Sequence, residues 1–423
     1  MTPLTTAFER FTDLAGFATG RQAENSPVRQ QNRAGRPEIL LSVHEDIEPL
    51  KEVWQVLERD GDGTPFQSYL WVSAWQRHIG TKQGIRPAIV VGWDNEGGAL
   101  FIFPLGVQRG FVCNKLVWLG GDITDYQGPL LARDFVWHVS PAQFPNLWAD
   151  IREMLPIHHM AALSRMPERI GGQANPFMTL GGLRRHASSA HCTVLKEDWA
   201  TYYNEKRSSG SKKRDKQKRR KLEELGEVSF ITPATAEERV ACFDALAKQK
   251  SVAFARMGVA NFFEKPGHLD FYRDLATNPE AEELFHLSHM RVGDTVAATS
   301  CGLSFGGRYH YILAAYDETA ETARFSPGMA QLMELMAHAT EEGHTVFDFT
   351  IGDEAYKEQW CELEVPLYDH FEPDTFASWA VLGPKIAYLR AKRFIKQTPV
   401  LWQGFTRLRA AFGGFFSAHT ARA

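Results

Sequence analysis

One order of elements is written twice in this chain, and that repetition constrains the fold more than any single motif. In the first half, residues 38–43 read as a strand, 46–58 as a helix capped by Asp46, and 68–78 as a second helix rich in aromatics. Residues 86–93 and 99–105 then flank a glycine-bearing loop at 94–98, the signature of a hairpin. A short strand at 115–119, a helix at 141–155 and an extended stretch at 158–163 complete the set. The second half repeats it with a strand at 227–231, helices at 237–250 and 268–275, and a meander from 285 to 315 turned at Gly293-Asp294 and Gly306-Gly307. A helix from Pro327 and a strand from Thr345 close the second copy. Such a duplication predicts two tandem α/β lobes, each on a mixed sheet. The boundaries read as a mobile tail over 1–36, a first lobe over 37–190, a second over 191–375, and basic amphipathic helices over 376–423.

Composition excludes several classes. At 423 residues and 44% hydrophobic content the chain has ample material for packed cores, so a fibrous or disordered protein is ruled out. The formal charge is −4, yet 376–423 holds eight Lys/Arg and no Asp/Glu, which leaves −12 for the rest. A basic tail therefore follows an acidic body, and wholesale coating of nucleic acid is not expected. The five cysteines are an odd number without a C-x-x-C pair, which favours a reducing compartment and speaks against a cysteine-built metal site. With no signal-like segment and no run of 18 apolar residues, the expectation is a cytoplasmic protein without a resident metal.

The chemistry concentrates in the second half, between Arg324 and Lys357. Ser326 is placed to cap a helix whose first residue is Pro327. Met329, Leu332, Met333 and Met336 then recur at helical spacing until Gly343 stops the helix. Free backbone amides at Gly328, Met329 and Ala330, beside Arg324, would make the start of this helix a phosphate-binding end. In the strand that follows, Phe347, Phe349 and Ile351 alternate with Val346, Asp348 and Thr350, and Gly352-Asp353 is expected to open a further helix carrying Tyr356, Lys357 and Trp360.

The order of elements, with a glycine-opened helix between the fourth and fifth strands, resembles the GNAT acyltransferase fold. Four stretches are similar to the tandem-GNAT group of CelD-like acetyltransferases of cellulose or exopolysaccharide synthesis. They are Gly120-Gly-Asp-Ile-Thr-Asp-Tyr-Gln-Gly-Pro-Leu130, Arg219-Arg-Lys-Leu-Glu-Glu-Leu-Gly226, Phe325-Ser-Pro-Gly328, and 347–360. That group is itself similar to the Fem-type aminoacyl transferases. The resemblance implies acyl-CoA as co-substrate, bound through Arg324, Ser326, Gly328, Met329 and Ala330, with a small-molecule or glycan-linked amine or hydroxyl as acceptor. In this chain three residues separate Arg324 from Gly328 where the GNAT motif has two, and Pro327 removes a donor, as at the corresponding helix start of Fem-type proteins.

Acyl transfer needs a base for the acceptor and an acid for the leaving thiolate. By resemblance Tyr356 is the acid, Lys357 stabilises developing negative charge, and Asp125, beside Tyr126, is the base, with Asp348 and Asp353 as alternatives. Each has an ordinary reading as well. Pro327-Gly328 begins a helix, Asp348 is satisfied by neighbouring backbone, Tyr356 and Trp360 are core, and Asp125 holds a turn. Ten Lys/Arg against one Asp over 206–221 form either an electrostatic guide for phosphates or a solvated helix, and transfer RNA is a partner only under the Fem-type alternative. The aromatics and bases of 376–423 suit either an anionic membrane surface, at the inner face, or packing on the acidic body. A non-catalytic interaction protein on a degenerate GNAT fold is the remaining reading.

Overall fold

In the first half, capping and turn chemistry set the elements. The strand β1 (Leu40–His44) leads to helix α1 (Lys51–Asp60) and then α2 (Tyr69–Trp75), whose start is capped by Ser68 Oγ accepting from the Trp71 amide at 3.2 Å. The hairpin of β2 (Ile89–Trp93) and β3 (Ala99–Phe103) is closed by the Asp94 amide donating to the Gly98 carbonyl, while the Asp94 carboxylate accepts the Glu96 and Gly98 amides. Pro104, which has no amide to donate, separates β3 from β4 (Leu105–Gln108). Strand β5 (Lys115–Trp118), helix α3 (Phe144–Met154) and strand β6 (Met160–Pro167) come next. The computed structural model describes residues 28–29, 39–352 and 354–397. Of the tail expected over 1–36, only Val28–Arg29 is described, paired with β1, and the remainder lies outside the described residues.

The second half holds strand β7 (Ala190–Val194), the basic helix α4 (Ser209–Glu223), β8 (Val228–Ile231), α5 (Ala236–Met257), α6 (His268–Thr277), and the meander β9 (Phe285–Val292), β10 (Thr295–Phe305) and β11 (Arg308–Tyr316). Helix α7 (Pro327–Glu341) crosses over to β12 (Val346–Ile351), and β13 (Leu363–Val365) ends the set. Gly343 stops α7 at φ 80°, as its position predicts. The chain then forms β14 (Leu367–Pro373) and α8 (Phe376–Gln397).

The described residues divide into two compact units: the chain up to His186 together with Pro366–Arg390, and Ala187–Val365 together with the chain from Ala391 onward. The sequence boundary at 375 thus needs correction, because β14 pairs with β6 in the sheet of the first unit. That six-stranded sheet runs Leu183–Arg185, β14, β6, β5, β4, Ile85–Pro87, beside a five-stranded one of Val28–Arg29, β1, β2, β3 and Leu130–Leu131. The second unit has one seven-stranded sheet in the order β8, β9, β10, β11, β12, β7, β13. The fold is mixed α/β in two units, as the duplicated order predicts.

Each unit contains one parallel pair that soon parts. In the first, β5 and β6 pair only at Lys115↔Met160 and Leu116↔Ala161. In the second, β11 and β12 pair at Arg308↔Val346, Tyr309↔Phe347 and His310↔Asp348. The inner face of α8 buries Leu382, with Val381, Ile386 and Leu389, on Cys113, Met160, Ala162 and Phe371. Residues beyond Gln397, including most of the predicted tail helices, lie outside the described residues. No helix among the described residues is long and apolar enough to cross a membrane.

Candidate functional site

Where β11 and β12 part, the backbone is strained. Against β7, two residues of β12, Phe349 and Thr350, oppose the single His191, so that Ile351 pairs with Ala190 and Asp348 with Cys192. Within this bulge Thr350 takes φ 57°, a left-handed conformation that a β-branched residue adopts only when its surroundings hold it. Asp348 supplies part of that hold: one carboxylate oxygen accepts the Thr350 amide at 2.8 Å and the other accepts from Arg308 Nη1 at 3.0 Å. The Thr350 hydroxyl donates to the Tyr311 carbonyl across the gap at 3.2 Å. Asp348 is completely buried, and burial holds the neighbouring His310 imidazole down at about 4. Its carboxylate is engaged within the chain, the ordinary reading that the sequence left open.

Lys357 completes the hold. It too is buried, with Nζ donating to the Ile351 carbonyl at 3.1 Å, 3.4 Å from that of Thr350 and 2.9 Å from the Glu354 carboxylate. The helix expected after Gly352 does not form. Only a three-residue 3₁₀ turn, Lys357–Gln359, is present, because Lys357 turns back onto the end of β12 instead of outward along a helix. Asp353 lies outside the described residues. Tyr356 packs edge-on against Phe349 at 6.1 Å, and burial raises its phenol above the usual range, which keeps it protonated. Trp360 is buried under Arg207, whose guanidinium lies 4.9 Å above its ring.

The start of α7 differs from its sequence reading in two respects. Ser326 does not cap the helix with its side chain, because it too is left-handed at φ 57°. Its carbonyl takes the Met329 and Ala330 amides at 3.1 and 3.3 Å, and its hydroxyl accepts from Lys218 Nζ of α4 at 2.8 Å. Two of the three amides expected to be free are therefore used, while that of Gly328 has no acceptor among the described residues. A Cβ at Gly328 would lie 3.4 Å from the Tyr316 ring, so the helix end sits against the last residue of β11. Arg324 is exposed in the preceding turn.

The free edge of β11 follows from the alternation of its peptide groups. The Asp317 amide bonds the Ala297 carbonyl of β10, so Ala315 also faces β10, and Ala314 and Tyr316 face the open side. Lys250 of α5 reaches in there, donating to the Ala314 carbonyl at 3.0 Å, with its ammonium 5.4 Å from the Phe254 ring. Burial lowers its pKa. Sequence reasoning missed Lys250, since one lysine on an amphipathic helix carries no signal. Met329, Ala314 and Tyr356 all pack on one core with Tyr311, Phe347 and Phe349. The basic run is divided in use. Arg207 pairs with Asp215, Arg219 with Glu334 and Arg220 with Glu224, whereas Lys213 and Lys216 are solvent-exposed.

Asp125 belongs to the first unit, in the bend after Gly121–Ile123, with a carboxylate oxygen 4.0 Å from Arg165 Nη1. Arg165 is itself left-handed at φ 57°, and its amide donates to the buried Asp369, so β6 repeats the device of β12. The gap beside β5 is nevertheless full. Phe177 packs at 5.0–5.2 Å on Phe103, Trp118, Phe144 and Trp148. The first unit also carries a cleft of about 670 Å³ between α3 and β14, lined by Arg152, His158, His370, Glu372 and Asp374. Hydrogen bonding from His370, with Arg152 alongside, holds the Glu372 carboxyl down at about 2.

Residues 209–358 match the family described as acetyltransferase (GNAT) domain. Among solved structures, FemX is similar at 10% identity, over 78% of this chain and 97% of that one, with a TM-score of 0.55. A tandem GNAT protein from the clavulanic acid biosynthesis pathway gives 10%, 80%, 99% and 0.43, and L-PGS from Bacillus licheniformis gives 12%, 81%, 95% and 0.46. At 10% identity the FemX likeness is one of fold. No curated protein matches the sequence. The family match thus covers residues 209–358, most of the second unit, and the structural likeness extends the fold over both units.

Proposed function

We propose that the second unit transfers an acyl group from acyl-CoA to an amine or hydroxyl acceptor. The observation that carries this reading is the parting of β11 and β12 after His310 and Asp348, beside a helix start whose Gly328 amide is free. An extended, amide-bearing arm adds to an open strand edge by backbone hydrogen bonds, and Ala314 and Tyr316 offer such an edge. Gly328 N–H, Arg324 and Lys218 stand where a diphosphate would be held by helix dipole and charge. As the acceptor's nitrogen or oxygen forms its bond to the acyl carbon the C–S bond breaks, and the Tyr356 phenol gives its proton to the leaving thiolate and is reprotonated by the proton that the acceptor sheds. Asp348 and Lys357 act as positioning residues, fixing the bulge that keeps the strands apart. A sugar-linked acceptor of exopolysaccharide or envelope synthesis rests on the motif resemblance alone. A second reading, transfer from an aminoacyl ester carried on RNA, is favoured by the exposed lysines of α4 and by the long Arg324–Gly328 spacing.

Thermal unfolding against a panel of acyl-CoAs tests the proposal. A ligand at about 100 times its dissociation constant adds about 2.7 kcal/mol of stability. Gly328→Leu, which crowds Tyr316, should abolish the shift. No shift with any acyl-CoA, together with a gel shift by charged but not uncharged transfer RNA, would decide for the second reading.

A further inference from the structure

Three separate segments of the first unit raise bare apolar side chains at one edge. The loop between β4 and β5 exposes Phe111 entirely and Val112 by 60%, although their neighbour Cys113 is buried under α8. The loop between α3 and β6 exposes Ile157 by 78%, and the start of α8 exposes Phe376 by 85% and Trp379 by 61%. Backbone bonds join these loops. Asn114 Nδ2 donates to the Ile157 carbonyl at 3.1 Å, the His159 amide to the Asn114 carbonyl at 3.0 Å, and the Asp374 amide to the His159 carbonyl at 3.0 Å. Thr375 and Ser378 cap α8 reciprocally, fixing Phe376 and Trp379 with their rings stacked at 6.5 Å. Positions 376, 379, 383, 387 and 390 form one stripe on that helix, opposite the Leu382 face packed on the sheet.

The charges around this edge are positive. Arg109 beside Phe111 and Arg390 on α8 are exposed, whereas Lys385 turns to the sheet side, its ammonium 5.2 Å from the centre of the Phe371 ring. The nearest carboxylates, Glu372 and Asp374, both pair with Arg152, and Glu372 also bonds His370. No Asp or Glu occurs after Asp374 in the whole sequence. Apolar tips on separate loops inside a basic rim suit a fluid, anionic surface. A protein partner more commonly meets a central pocket that takes an anchor residue.

The geometry points to this edge as a docking face for an anionic lipid bilayer, with Phe111, Val112, Ile157, Phe376 and Trp379 entering the interface and Arg109 and Arg390 at headgroup level. The helix lies on the membrane without crossing it. The assay is co-sedimentation of the full-length protein with vesicles of phosphatidylcholine alone and of phosphatidylcholine mixed with phosphatidylglycerol. Binding should be stronger on the mixed vesicles and should weaken with salt. The double variant F111S/I157S, whose side chains are solvent-exposed, should keep the parent circular dichroism and thermal midpoint yet lose about tenfold or more in partition. Arg109→Glu should lower binding to the mixed vesicles only. Unchanged partition in F111S/I157S overturns the proposal, as does equal binding to both vesicle types. A concentration-dependent dimer in lipid-free sedimentation that F111S/I157S abolishes would assign the face to a second copy of the chain and overturn it too.

Discussion

Removing the Asp348 carboxylate should collapse the strained bulge of β12, and two substitutions divide the effect. In Asp348→Asn the side-chain oxygen still accepts the Thr350 amide, but an NH₂ group then faces Arg308. The lost charge-assisted bond would cost about 1.5–3 kcal/mol in a buried pair. Arg308 is 39% exposed and is partly rehydrated by solvent, so the lower figure, about 1.5 kcal/mol, is expected. Asp348→Ala also orphans the Thr350 amide, adding about 1–3 kcal/mol and bringing the total to roughly 3 kcal/mol. Thr350→Gly supplies the cross-check. It relieves about 1–2 kcal/mol of left-handed strain but loses the hydroxyl bond to Tyr311 and adds chain entropy, together about 1.5–2 kcal/mol, so alone it is near neutral. In the Asp348→Ala background, where the carboxylate no longer holds the conformation and Thr350 can relax, glycine has less strain to relieve and should become destabilising, a coupling of about 1 kcal/mol. Because the chain has two units, urea unfolding should be read by hydrogen exchange of the β12 amides, which isolates the second unit. If Asp348→Asn and Asp348→Ala differ by less than about 0.5 kcal/mol, the Thr350 bond is not what holds the bulge and the account fails.

Burial raises the Glu58 carboxyl to about 7, even though it accepts the Tyr69 amide at 3.0 Å. An acid raised in the folded state contributes stability fully present below its unfolded pKa of about 4.5 and lost as pH rises through 7. Glu58→Gln should therefore flatten the fall in thermal midpoint between those values, and an unchanged pH profile would refute it. Tyr356→Phe should lower kcat by about 10²–10⁴ while leaving donor KM near its starting value, and a purely KM effect in steady-state kinetics would reassign the phenol to binding. Lys250→Met should lower the thermal midpoint of the free protein by leaving the Ala314 carbonyl unpaired, yet enlarge the shift given by acyl-CoA, since that edge position becomes available. A smaller shift would make Lys250 part of the donor site.

The parts of the fold legible in the sequence are those set by local signals. Asp94 and the glycines after it mark the β2–β3 hairpin, Ser68 caps α2, and Gly343 ends α7, each through chemistry confined to a few residues. The features that could not be read depend on distant partners. Ser326 is a good capping residue by type, but Lys218, more than a hundred positions earlier, holds its hydroxyl. Tyr356 and Trp360 have helical spacing, yet the Lys357 ammonium finds the carbonyls at the end of β12 and the helix does not form. The return of β14 to the first unit is equally non-local, since its alternation suits either sheet. Only pairing with β6 decides it.

The duplicated strain argues where chemistry has been retained. Each unit places a left-handed, non-glycine residue on the strand after its crossover helix, Arg165 or Thr350, and in each a buried aspartate takes that residue's amide, Asp369 or Asp348. Two such sites at about 1–2 kcal/mol each do not readily arise independently, so the bulge belongs to the repeated plan. The use of the space it creates differs. In the first unit Phe177 and four neighbouring aromatic rings fill the gap, so that strain there is compensated by packing. In the second, the edge of β11 is met by Lys250 at Ala314 and by the start of α7 at Tyr316, and a flexible lysine gives way to a ligand more cheaply than an aromatic cluster does. Strain of this kind persists where neighbouring groups or a bound ligand compensate it, and the proposed donor groove is placed in the second unit, where the matched residues 209–358 also lie.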